Sequence, residues 1–161
     1  MSDVGANVQV LVDTLYKKKQ LLEEIKTYTE QQANILKKEE LDIRAFNNIM
    51  SNKQVRIELL IKIDDGFEST FSRVKNHLVT QPDVYRDAIR VMKELITEVN
   101  DLGVDIQVQE QRNKTNFDMK TNMVKSEVKT FRNHKSAMAQ YQNNYNKLKK
   151  ADEPHFFDSK K

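Results

Sequence analysis

Leu36-Lys37-Lys38-Glu39-Glu40-Leu41-Asp42-Ile43-Arg44-Ala45-Phe46 is the stretch whose reading decides the fold. On both sides of it, side chains recur at alternating steps of three and four in one phase. Before it the positions are Val8, Leu11, Leu15, Lys18, Leu22, Ile25, Thr29, Gln32 and Leu36. Within and after it they are Glu39, Ile43, Phe46, Met50, Lys53, Ile57, Leu60, Asp64, Phe67, Phe71, Val74 and Leu78. Most are apolar, and this step pattern returns to one face of an α-helix, so residues 5–78 read as coiled-coil packing. Taken as one helix, they would extend about 110 Å. The alternative is a hairpin of two helices, near 5–39 and 42–78. Lys37 and Lys38 suit a helix C-terminus and Asp42 suits an N-cap, which places the turn between them. No Gly or Pro marks the turn.

A second break is explicit. Val79-Thr80-Gln81-Pro82-Asp83 ends one helix and starts another, because proline disfavours helix in the residue before it and is tolerated in a first turn. Asp83 and Asp87 complement the N-terminal dipole of the helix that follows. Ala88, Met92, Leu95, Val99, Leu102 and Ile106 then form a dense stripe, broadened by Ile89 and Ile96. Gly103 and the run Asn113 to Asn116 are its weak points. A third helix over 83–148 would be roughly 100 Å long, about twice each hairpin arm. Its second half must therefore overhang, fold back or dimerise. The expected fold is all-α, an antiparallel bundle of three long helices in a single domain over 1–150, with 151–161 as a flexible tail.

Beyond Ile106 the stripe thins. Phe117, Val124, Phe131, Met138 and Tyr145 recur every seven residues, with Val128, Tyr141 and Leu148 as additions. A core-facing helix carries about three apolar residues per two turns. One per heptad is too sparse to hold a core alone, which suggests a surface that meets another helix. The charge changes at the same place. Residues 1–111 carry 15 Lys+Arg against 19 Asp+Glu, or −4; residues 112–161 carry 12 against 5, or +7; the sum is the chain's +3.

The totals bound the chemistry. The 161 residues include three Gly, two Pro and no Cys, with 32% charged side chains, a composition of long helices. Disulfides, cysteine-bound zinc and thiol catalysis are excluded. No stretch is long and apolar enough to insert in a membrane, and the N-terminus lacks the basic and apolar regions of a secretory signal, so a cytoplasmic location is expected. His77, His134 and His155 are preceded at three residues by Val74, Phe131 and Asp152, so the Glu-x-x-His pairs of a di-iron bundle are missing. No phosphate-binding loop, nucleophile elbow or His-Glu-x-x-His motif occurs. Neither an enzyme nor a cofactor or metal site is expected. The aromatics of the basic half follow one line rather than interleaving with Lys and Arg, which argues against a nucleic-acid stacking platform.

Leu21-Leu22-Glu23-Glu24-Ile25, Thr29-Glu30-Gln31-Gln32, Leu41-Asp42 to Phe46, and Lys53, Ile57, Leu60 and Ile63-Asp64 together resemble the FlgN family of flagellar export chaperones. Gln109-Glu110-Gln111-Arg112-Asn113 is similar to the family's long final helix. The resemblance implies a cytoplasmic, non-enzymatic chaperone of flagellar type III export. It implies hook-associated junction proteins and the export apparatus as partners, with premature assembly prevented. It also implies that the client's C-terminal helical segment binds the C-terminal helical region, here Phe117, Val124, Val128, Phe131, Met138, Tyr141 and Tyr145. A chaperone for the filament cap protein and a structural homodimeric coiled coil are the alternatives.

Overall fold

The computed structural model describes residues 2–123 and 139–143. Three long helices dominate it: α1 Ser2–Leu36, α2 Ile43–Thr80 and α3 Arg86–Met123. They run up, down and up, with α1 packed against both others. A short helical segment over 139–143, here α4, returns to the bundle. Among the described residues, no helix is long and apolar enough to cross a membrane.

Residues 5–78 are a hairpin, not one helix. The last turn of α1 tightens, with the Lys37 and Lys38 amides donating to the Asn34 and Ile35 carbonyls at 3.2 and 3.3 Å. Asp42 caps α2, its Oδ1 accepting from the Ala45 amide at 3.1 Å. The exposed carbonyls of the turn are covered from α3: Lys120 Nζ donates to the Lys38 carbonyl and, at 3.1 Å, to that of Glu39. At the opposite end, Pro82 and Asp83 occupy a turn closed by the Val84 amide on the Gln81 carbonyl at 3.2 Å. This turn delays α3 to Arg86, three residues later than expected from the proline alone.

The heptad phase survives in three dimensions. Every position from Val8 to Leu78 in that series is buried or half-buried except Glu39, which lies in the turn. The core divides into three apolar clusters along the bundle axis. Val8, Leu11, Leu15, Phe67, Val74, Leu78, Met92 and Leu95 fill the end nearest the N-terminus. Leu22, Ile25, Ile57, Leu60, Val99 and Ile106 fill the middle. Leu36, Phe46, Met50, Phe117 and Tyr141 close the hairpin end. The Lys18–Asp64 ion pair, at 3.0 Å, joins α1 to α2. Farther along, Arg56 bonds Glu24 at 2.7 Å and lies 4.9 Å from the centre of the Tyr28 ring.

Of the courses expected for the second half of the long third helix, folding back is the one seen. On an unbroken helix, positions 110 and 141 would be about 46 Å apart. Instead the Tyr141 hydroxyl donates to the Glu110 carbonyl. The chain has therefore folded back by Ala139, and a single helix over 83–148 does not exist. The physical reason is the supporting surface: α3 runs level with the hairpin to its turn, and Tyr141 gains apolar cover by packing on Phe46 beside that turn. The expected tail at 151–161 lies outside the described residues.

Phe46 is fully buried between Phe117 and Tyr141, and Phe46→Ala should destabilise the bundle by about 3–5 kcal/mol. Asp42→Ala should cost only about 1 kcal/mol, the usual worth of an N-cap. Urea unfolding monitored by circular dichroism measures both; equal losses would contradict this division between core and cap.

Candidate functional site

Between the middle cluster and the hairpin-end cluster lies a layer of polar side chains. Thr29 and Gln32 come from α1, Lys53 from α2, and Glu110 and Asn113 from α3. All are buried, Lys53 and Gln32 to 0% exposure and Glu110 to 1%. Each sits where the heptad phase directs a side chain inward, so the helices have no means of turning them to solvent.

Lys53 organises the layer. Its ammonium donates to Gln32 Oε1 at 2.8 Å and to both carboxylate oxygens of Glu110 at 2.9 and 2.8 Å. The three acceptors match the three protons of the group. Asn113 Nδ2 donates to the Thr29 carbonyl at 3.0 Å, and Asn113 Oδ1 accepts from Gln109 Nε2 at 2.8 Å. Thr29 Oγ1 donates back to the Ile25 carbonyl at 2.8 Å. Gln32 Nε2 is the orphan, buried without an acceptor.

Tyr141 roofs the layer from α4. Its ring stacks on Phe46 with centroids 6.1 Å apart, and Lys53 Nζ lies 5.7 Å from its centre. Its hydroxyl reaches the Glu110 carbonyl. One aromatic side chain thus bridges α2 and α3 on an apolar surface, a cation and a backbone acceptor together.

Of the seven side chains expected to line a client surface, the structure brings Phe117 and Tyr141 together. Both are buried against Phe46, at 0% and 1% exposure. The expectation of an open line does not hold for these two: the chain covers them itself, because the return of α4 supplies the missing apolar neighbour. Val124, Val128, Phe131, Met138 and Tyr145 lie outside the described residues.

Sequence reasoning passed over Gln32, Lys53, Glu110 and Asn113 as functional residues. The signal was present. Continuing the α3 stripe from Ile106 by steps of four, three and four gives Glu110, Asn113 and Phe117, in phase with the core. A carboxylate on one core stripe and a lysine on another are a candidate buried pair.

No nucleophile with an adjacent base occurs in the polar layer. Among the described residues, no group of three or more His, Cys, Asp or Glu side chains is placed to hold a metal ion. A depression of about 340 Å³ between α1 and α3 is lined by Lys26, Thr29, Asp105 and Arg112, and there Lys26 is already paired with Asp105 at 3.3 Å. Comparison with protein-family models, curated proteins and solved structures gives no match.

Removing one partner of a buried ion pair strands the other, so Lys53→Met should destabilise by about 3–5 kcal/mol. The double change Lys53→Met with Glu110→Met should recover most of that loss. The pH dependence has a defined sign. Burial pulls the Lys53 ammonium below its ordinary value of 10.5, and Glu110 opposes the shift without cancelling it. Between the lowered value and 10.5 the unfolded chain binds the extra proton, so this group's contribution to stability rises with pH. Denaturation at pH 7 and pH 10 should show the wild type gaining on the double variant. A wild type that loses ground would contradict the assignment.

Proposed function

We propose that the chain is a cytoplasmic flagellar type III export chaperone. It binds the C-terminal helical segment of hook–filament junction proteins, keeps them from assembling early and delivers them to the export apparatus. The observation that carries this reading is the docking of α4: the hairpin end of the bundle takes up the helical residues 139–143, with Tyr141 buried against Phe46. A client helix offers the same kind of surface, an apolar stripe with an anchor side chain. The +7 charge of residues 112–161 and the sequence resemblance of the first two helices support the same reading. The role asks for recognition and release, not for a catalytic group.

Co-purification with a junction protein and with a cap protein tests the client class. Phe131→Asp combined with Met138→Asp should abolish capture of the junction protein, with helicity by circular dichroism near that of the wild type. Undiminished capture by that variant would remove Phe131 and Met138 from the contact surface. Preference for the cap protein would redirect the client assignment.

A further inference from the structure

We propose that the chain's own C-terminal segment closes the groove between α2 and α3, with Tyr145 and Leu148 seated in line below Tyr141 against Gln54, Ile61, Gly103 and Gln107. The contact lies within one chain and stands independently of the export reading.

The groove follows from how the three long helices meet. α1 packs closely on both others, whereas α2 and α3 approach each other less closely. They meet through long side chains, Lys53 on Glu110 and Phe46 on Phe117. Steps of seven return to nearly one face of a helix, so the α3 face that carries Phe117 and Glu110 toward α2 continues at Gly103. Gly103 is buried in the interior of α3. Glycine is among the poorest helix formers, and on a core face it lets a neighbouring side chain come down to the backbone. On α2, Arg56 turns toward α1, where it bonds Glu24. The opposite flank carries Gln54 and Ile61, seven residues apart and both half-buried. Gln54 Oε1 is buried there without a donor.

The occupant follows from level and direction. α3 rises past Glu110 to Met123, and the chain is back at the level of Glu110 by Tyr141. It therefore travels down α3 as it reaches Tyr141. Tyr141, Tyr145 and Leu148 recur at steps of four and three, the inward spacing of the other helices, with no Gly or Pro before Gly-free Pro154 is reached. Seven residues of descending helix carry Leu148 about 10 Å below Tyr141. Seven residues down α3 from Glu110 is Gly103, so the two fall at one level. Tyr145 falls between them, level with Gln107 and with Gln54 beside Lys53. Its hydroxyl is the donor that Gln54 Oε1 lacks. A second copy would have to displace a segment already tethered at Tyr141, and the tether favours the resident.

The chain has no cysteine, so an introduced pair reports only its own contact. Full-length Gly103→Cys with Leu148→Cys is treated at micromolar concentration with dibromobimane, which fluoresces when it bridges two nearby thiols. Bridged monomer should form about ten-fold or more faster than in Val55→Cys with Leu148→Cys, because Val55 lies exposed on the outer side of α2. If Gly103→Cys fails to fold, Ile61→Cys with Leu148→Cys decides by the same comparison. Equal rates in the test and control pairs overturn the proposal. Bridged dimer in place of bridged monomer would assign the groove to a second copy and overturn it as well.

Discussion

Lys53 is a full positive charge inside a three-helix bundle, and its pairing with Glu110 constrains everything around it. A heptad bundle with uniformly apolar seams can slide by seven residues and still bury similar side chains. Here such a slide between α2 and α3 would place Lys53 level with Gly103 or Phe117, neither of which accepts a hydrogen bond from its side chain. An unpaired buried charge costs several kcal/mol, more than the difference between two apolar registers. The pair therefore fixes the level of α2 against α3. Gln32 and the Asn113–Thr29 bond tie α1 to the same level.

The same interaction sets the end of the molecule. Once α3 is held level with the hairpin, Phe117 falls opposite Phe46, and the aromatic pair sits 4.9 Å apart beside the turn. Lys120 then reaches the turn carbonyls of Lys38 and Glu39. Tyr141 docks on the surface that results, its ring over the lysine and its hydroxyl on the backbone of the glutamate. The polar layer is thus both a register lock and the floor on which Tyr141 packs.

Much of this was legible in the residues. The in-phase series from Val8 to Leu78 identified the inward face of α1 and α2 almost without error, because a side chain's direction on a helix follows from its position. Asp42 marked the start of α2 for a local reason, its own side chain closing the first turn. The stripe on α3 was read correctly to Ile106 and then lost, because Glu110 and Asn113 are polar and a search for apolar spacing stops at them. Pro82 located the second turn but not its length, which depends on how the residues after it close.

The sequence by itself determined the elements, their inward faces and the turn at Asp42, since periodicity and capping act within a few residues of chain. Only the tertiary structure decided that Phe117 and Tyr141 both pack on Phe46 and which core polar groups meet. Contact between Lys53 and Glu110, or between Tyr141 and Glu110, joins residues far apart in the chain, and no local pattern encodes their relative level. That level is set by the cost of a buried charge without a partner, a quantity defined only when the helices are packed.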